Sequence, residues 1–548
     1  YDGCWSLFVR IQINALEHLQ FTSGQEKETT RRKPRNTHPH CLRWTETISP
    51  HQQCLGLRLS PESLVLLSMA AEDKTHVLVL PYPAQGHLPP LLHLSKVLAA
   101  NGIRVTIFNI ESIHKQLLKS WDPSSAGKRI QFEALPFPED IPFGYDASVH
   151  EKRVEFHQLL MSKLRDEFEA LVPRLEPAPS CILADESLFW SKPIAKKFGL
   201  PSVSYFPGNA AWSSISHHLC LLASKGVFPL RGTKPSICEA PELAPFDFCR
   251  SRARDRLCAW PFPTKLEDFP EYLHHMEKET LEGWAKHPGK MKDATWVLVN
   301  SFYELEPHTF DAMKQTIGPR YLPIGPLFPL TSTGSGEIKT SLRHEEHGCL
   351  EWLQTQAARS ILYISFGSCS SLSEAQFEEF MEGLAASKQQ FLWVLRPDTV
   401  LNGRCDLYQK CTELTKDQGC FVAWAPQLKV LAHPSIGGFL THCGWNSTFE
   451  SICNGVPMLG WPRHSDQSLN CKLMSEDWKI GMRLGAFSKF LKRAEIAEKL
   501  SDFMDKEKIL EFRMNVRKLE NAAREAAGPG GSSYVNLESF FREMRGAI

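Results

Sequence analysis

The chain has 548 residues, 42% of them hydrophobic, and its 62 lysines and arginines balance 62 aspartates and glutamates. That length exceeds one ordinary core, so two domains with extra material are expected. A net charge of zero removes the global field that would favour nucleic acid or an anionic membrane, and a neutral small molecule becomes the expected partner.

The 16 cysteines are scattered, as at Cys181, Cys349, Cys443 and Cys453, with no CxxC pair. They read as reduced core thiols of a cytoplasmic protein rather than a disulfide framework. No run of 18 apolar residues occurs, so no membrane span is expected.

Residues 20–60 are polar and lack a sustained period. Such a stretch cannot bury enough apolar surface to offset its ordering entropy, and disorder is expected there. SLVLLSMAA (63–71) has the apolar core of a signal peptide, but it lies far from Tyr1 and runs straight into a strand, so a signal is the weaker reading. We expect Met69 to be the natural start and residues 1–68 to be a non-native extension.

HVLVLPYPAQGHLPPLLHLSKVLAANGIRVTIFNI (76–110) predicts an apolar strand, a loop, a helix ending near Gly102 and a second apolar strand. Continuous apolar strands joined through a helix imply a parallel sheet covered on both faces. The pattern recurs in CILADESLFWSKPIAKKFGLPSVSYF (181–206), where Gly199 and Pro201 mark the helix stop. Residues 225–290 are irregular and rich in proline and aromatics, a composition suited to shaping a cleft. WVLVNSF (296–302) is another strand, and the Pro, Gly, Ser and Thr that follow mark a linker. GSG at 334–336 lacks the second half of a dinucleotide fingerprint and reads as part of that linker. The α/β rhythm then restarts with SILYISFGS (360–368), a helix over 374–387 and the strand QFLWVLR (390–396). Two α/β domains in tandem place a ligand cleft between the carboxyl ends of their strands.

IGGFLTHCGWNSTFESICNG (436–455) predicts a strand, a glycine turn and a helix beginning at about Asn446 and Ser447. The exposed N–H groups and dipole at such a helix start favour an anion, and a diphosphate fits. His442 can donate to the same oxygens, Glu450 can accept from ribose hydroxyls, and Trp424 offers a flat face to a base. Asp466 and Gln467 supply the acceptors and donors that sugar hydroxyls require. Taken singly, each has a plainer reading: a core tryptophan, a helix cap, a solvated loop. Their order and spacing together are specific.

The stretch Trp424 to Gln467 resembles the 44-residue signature of plant secondary-metabolite UDP-glycosyltransferases, matching W-x-P-Q, H-P-S-x-G-G-F-x-T-H-C-G-W-N-S, E, G-V-P, W-P and a terminal D-Q. The resemblance runs from about Met69 through PAQGH, NSFYELE, IGPL, WLQTQAARSILYISFGS and GGSS (530–533), and residues 69–548 have a length usual for that family. It implies a GT-B fold, two Rossmann-like doubly wound domains facing each other across a cleft. The expected layout is an acceptor-binding domain at 69–325, a linker at 326–345, a UDP-sugar-binding domain at 346–527 and a C-terminal helix, 528–548, packing back toward the first domain. Carried over residue by residue, Trp424 stacks on uracil beside Ala425 and Gln427, and Glu450 meets the ribose. Ser368, His442, Asn446 and Ser447 hold the diphosphate, the Trp445 backbone approaches the sugar, and Asp466 and Gln467 bind glucose hydroxyls. A final Gln is associated with UDP-glucose.

His87, in PAQGHLPP, and Asp185, ending CILAD, both fall at carboxyl ends of parallel strands and face one crevice. An imidazole can take a proton near neutral pH, and a carboxylate on its other nitrogen fixes the tautomer. Local sequence also allows a loop histidine and a helix cap; the family resemblance makes them the catalytic base and its partner. The expected reaction is a single displacement with inversion. No Asp-x-Asp pair occurs, so no metal and no cofactor are expected, the leaving diphosphate being compensated by the helix start with His442 and Ser368.

Two departures from the family stand out. Pro207-Gly208-Asn209 follows SVSYF where the family often has a Thr or Ser reaching the sugar, and Arg463 and His464 replace a more usual apolar or aromatic pair. Another UDP-sugar, a catalytically silent UDP-sugar binder and a nicotinamide dehydrogenase are the alternatives; the missing GxGxxG disfavours the last. Apolar and aromatic residues in 205–225 and 255–275 suggest a lipophilic acceptor with a hydroxyl or carboxyl. A monomer is the default.

Overall fold

The computed structural model describes residues 75–120, 129–138, 150–224, 268–269, 273, 291–330, 345–368, 370–396, 399, 405–486 and 489–546. The expected extension at 1–68, nearly all of the irregular segment at 225–290 and most of the linker at 326–345 lie outside them. Glu72–Ile548 forms one compact unit that contains two parallel sheets.

The first sheet has seven strands: β1 (His76–Leu80), β2 (Arg104–Ile110), β3 (Ile130–Leu135), β4 (Cys181–Asp185), β5 (Ser202–Phe206), β6 (Trp296–Val299) and β7 (Tyr321–Pro323). Their spatial order is β3-β2-β1-β4-β5-β6-β7. β1, HVLVL, is buried along its whole length, flanked by β2 and β4 and sharing one apolar core with the helix Leu88–Ala100. At about 1.5–3 kcal/mol for each fully buried Val or Leu side chain, this one strand is a large contributor to the core. The helix Leu88–Ala100 closes on Asn101 and Gly102, and Ser191–Lys197 closes on Phe198 and Gly199, where the sequence places the stops.

The second sheet has six strands: β8 (Ile361–Ser365), β9 (Phe391–Val394), β10 (Gly419–Val422), β11 (Ile436–Thr441), β12 (Met458–Gly460) and β13 (Gly481–Arg483). Their order, β10-β9-β8-β11-β12-β13, repeats the connectivity of the first sheet. In both sheets the order reverses beside the first strand, between β1 and β4 and between β8 and β11. Loops leave in opposite directions at such a point and open a crevice at the carboxyl ends. The two halves of a GT-B fold are thus each doubly wound, and each offers one switch point.

The last helix, Ser532–Gly546, lies against the first sheet. Ser533 Oγ donates to the Gly325 carbonyl at 2.5 Å, Asn536 Nδ2 donates to the Pro323 carbonyl at 2.8 Å, and Phe540 meets Trp296 edge-on at 5.6 Å. Cys181, Cys349, Cys411, Cys420, Cys443, Cys453 and Cys471 are free thiols, all buried except Cys420. Among the described residues no helix is long and apolar enough to cross a membrane.

Candidate active site

At the first switch point β1 delivers the loop carrying His87, which immediately precedes the helix Leu88–Ala100, and β4 ends on Asp185. His87 Nδ1 and Asp185 Oδ2 lie 2.8 Å apart. The other carboxylate oxygen accepts from the Ser187 N–H at 2.9 Å, so the turn after β4 locks Asp185 in place. Asp185 is fully buried while the His87 side chain is one-third exposed, and with Nδ1 engaged, Nε2 is the nitrogen available for proton transfer. Burial alone would lower the His87 pKa; the charge and hydrogen bond of Asp185, with a further contribution from Asp466, outweigh it and raise the pKa above its ordinary value.

At the second switch point β11 runs into His442, Cys443 and Gly444, and the helix Trp445–Cys453 follows. Helix formation starts one residue earlier than the sequence suggests, because Gly444 occupies the N-cap and no side chain caps that end. Cys443 has a left-handed φ of 63°, as the sharp reversal from strand to helix demands. The His442 ring is wedged between two glycines: a Cβ on either Gly367 or Gly444 would fall 2.4 Å from its Nε2. Burial first, then His464 and Arg396, push the His442 pKa down to about 3, so at neutral pH it is a neutral donor. Arg396 donates to the Gly367 and Ser370 carbonyls and holds the loop that carries the half-buried Ser368.

Two side chains tie the two halves together. Asn446 Nδ2 donates across the crevice to the Gly86 carbonyl, beside His87, at 2.8 Å. Trp445 Nε1 donates to the Asn300 carbonyl at 2.7 Å, and its ring stacks on Phe449, which stacks in turn near Phe302. Pro89, His93, Asn300, Phe328, Asn446 and Glu450 share one cavity there.

Gln427 organises the far side of the same helix. Its amide donates to Ser447 Oγ at 3.0 Å and to Glu450 Oε2 at 2.7 Å, while the Tyr363 hydroxyl donates to its oxygen at 3.2 Å. Burial, with a smaller contribution from Glu345, outweighs the Gln427 hydrogen bond and raises the Glu450 pKa to about 7. Trp424 packs on the core and its carbonyl accepts from the Glu346 N–H at 2.8 Å; Ala425 beside it is buried.

Asp466 and Gln467 follow β12. Asp466 Oδ2 accepts from Asn470 Nδ2 at 2.8 Å, and the carboxylate stands close enough to His87 for each to shift the other's titration. Gln467 is buried, and its oxygen accepts from the backbone N–H groups of Arg463 and His464 at 2.8 and 3.0 Å. Gly86, Asn300, Gly367 and Asn470 are not singled out by the sequence. Gly367 and Asn300 belong to the strand segments ISFGS and NSF, but their partners, His442 and Trp445, lie in a distant turn and helix start and leave no local signal.

Residues 319–521 match the family described as UDP-glucoronosyl and UDP-glucosyl transferase, and residues 73–170 match the glycosyltransferase N-terminal domain. UDP-glycosyltransferase 85A3 of Arabidopsis thaliana is 32% identical over 86% of this chain and 97% of its own length. 7-Deoxyloganetin glucosyltransferase of Gardenia jasminoides is 33% identical over 86% of this chain and 98% of its own. The crystal structure of Os79 from O. sativa in complex with UDP superposes with a TM-score of 0.70 at 27% identity, covering 85% of this chain and 100% of that one. Phytolacca americana UGT2 complexed with UDP-2fluoro-glucose and pterostilbene superposes with a TM-score of 0.66 at 26% identity, covering 86% and 99%.

Proposed function

The chain belongs to the plant UDP-glycosyltransferases, and from that premise we propose that it transfers glucose from UDP-glucose to a hydroxyl or carboxyl of a small lipophilic acceptor with inversion. The observation that most supports this is the meeting of two halves: a His87–Asp185 pair at one switch point and an uncapped helix start at the other, joined by Asn446 and Gly86. His87 Nε2 takes the acceptor proton as the acceptor oxygen bonds to the anomeric carbon. The bond from that carbon to the diphosphate breaks, and its electron pair leaves with UDP. Asp185 stabilises the imidazolium, and the first-turn N–H groups of Trp445–Cys453 with the neutral His442 receive the charge that develops on UDP. Trp424, Ala425 and Gln427 flank the nucleoside in this reading, Ser368, Asn446 and Ser447 the diphosphate, and Asp466 and Gln467 the sugar. The relatives named glucosyltransferases support glucose as the sugar. Seven free thiols among the described residues, six of them buried, support a cytoplasmic setting.

Incubating the chain with UDP-glucose and a panel of phenolics, terpenoids and hormone-like acids tests this by product mass. A hexose-sized gain is expected, at a rate EDTA leaves unchanged because protein dipoles compensate the leaving group. Gain only with UDP-galactose, UDP-xylose or UDP-glucuronic acid would replace the donor; loss in EDTA restored by Mg²⁺ would replace the charge compensation.

Glu450 makes donor binding pH-dependent in this reading. Ribose hydroxyls donate to a carboxylate but compete with the proton of a carboxylic acid. With a starting pKa of about 7, UDP-glucose affinity is expected to rise about tenfold between roughly pH 6 and pH 8 as the free-state carboxyl ionises. Glu450→Gln should flatten that rise in isothermal titration; a flat wild-type profile would remove Glu450 from the ribose.

A further inference from the structure

Asn209 and Asn470 are fully buried polar side chains that the proposed reaction does not use. Asn209 follows β5, the neighbour of the strand that ends on Asp185, and Asn470 lies in the short helix Gln467–Lys472. Asn209 Nδ2 donates to Asn470 Oδ1 at 2.7 Å, across 261 positions of sequence and from one half of the cleft to the other. Asn470 spends its two amide hydrogens on Asp466 Oδ2 at 2.8 Å and on the Cys443 carbonyl at 2.9 Å.

Both amide orientations are dictated by backbone groups. The Trp212 N–H donates to Asn209 Oδ1 at 2.7 Å, which capping of the helix Ala210–Ser224 requires, so the Asn209 NH₂ must face Asn470. At the other end the Cys443 carbonyl accepts only from an N–H, so the Asn470 NH₂ must face Asp466 and its oxygen must face Asn209. The chain from Trp212 N–H through Asn209 and Asn470 to Asp466 therefore has one consistent polarity. Among buried groups such a path resists rearrangement, because reversing any member leaves two donors or two acceptors face to face.

We propose that Asn209 and Asn470 are positioning residues that hold the Asp466 carboxylate toward the donor sugar and tie it to the half of the cleft that carries His87. The inference rests on the UDP-sugar reading above and adds to it a link between the halves. Asn209 thereby acts on the site through Asn470, while its own side chain is sealed from the cleft.

The test is isothermal titration of the full chain with UDP and with UDP-glucose, since only the second carries the sugar that Asp466 would meet. Asn470→Ala is expected to weaken UDP-glucose about tenfold and leave UDP unchanged, as befits the loss of an oriented charge-assisted hydrogen bond. Asn209→Ser keeps a hydroxyl that can cap the Trp212 N–H, but its shorter side chain does not reach Asn470, so the link between the halves is cut without adding a charge. A selective loss of similar size is expected in this uncharged, cap-retaining variant, which guards against misfolding of the alanine variant. Equal weakening of both ligands, or an unchanged ratio in both variants, would reduce the pair to packing and overturn the inference alone. A wild-type chain that binds neither ligand would overturn the donor reading and this inference with it.

Discussion

Replacing His87 with alanine is expected to lower kcat by about 10²–10⁴-fold while the dissociation constant of UDP-glucose stays within about twofold of wild type. The asymmetry follows from where the ring's contacts go. Its hydrogen-bonding nitrogen is spent on Asp185, on the same half of the cleft, and the residues assigned to the nucleotide stand on the other half. Removing the ring therefore takes away proton acceptance without touching the diphosphate cradle. Asp185 retains the Ser187 N–H, and the space left by a one-third exposed ring admits water, so the carboxylate is not stranded. Product formation by mass and donor binding by titration, on the same preparation, check both halves of the expectation. Activity within about threefold of wild type would remove His87 from proton transfer; collapse of donor binding together with kcat would make it a structural member of the cleft.

Continuous apolar strands such as HVLVL and CILAD point to a parallel sheet, and a residue at the end of such a strand has only one crevice to face. That places His87 and Asp185 at one crevice although 98 residues separate them, and the family resemblance then reads them as a pair. Groups whose partners are distant and not at strand ends are not legible. Trp445 opens the helix because Gly444 takes the N-cap, its indole N–H then reaching the Asn300 carbonyl just past β6, and local sequence does not place that helix start ahead of Asn446. Asn446, assigned to phosphate from its place at a helix start, also spans the crevice to Gly86. Asn209 reads in sequence only as a departure from the family, either a substitute for its sugar-contacting Thr or Ser or a loss of that contact, because only the fold reveals Asn470 opposite it. The glycines beside His442 read as turn formers, and their second role, clearing space for an imidazole, depends on Gly367 and Gly444 arriving from different strands.

Asp185→Asn should change the shape of the pH profile as well as its height. In the wild type burial is the largest single influence on His87, and the charge and hydrogen bond of Asp185, with a smaller contribution from Asp466, together outweigh it and lift the pKa above its ordinary value. A base works only when deprotonated, so kcat/KM should climb with pH through that raised pKa and then level off. An amide at position 185 removes the charge but not the burial, leaving burial opposed only by the smaller contribution of Asp466. The His87 pKa then falls and the acid limb moves to lower pH. The plateau falls as well, for a separate reason. The carboxylate demands a proton on Nδ1 and so leaves Nε2 open, whereas an asparagine NH₂ turned toward the ring donates to Nδ1 and puts the proton on Nε2, the wrong tautomer for a base. A drop of about 10²–10⁴-fold in the plateau is expected from this exchange. The two effects have opposite signs at low pH, where the variant's deficit should narrow, and that crossing trend separates orientation by charge from simple support of the loop. A lower plateau with an unmoved acid limb would leave Asp185 a scaffold for the turn through Ser187, and a limb moved to higher pH would contradict the electrostatic account outright.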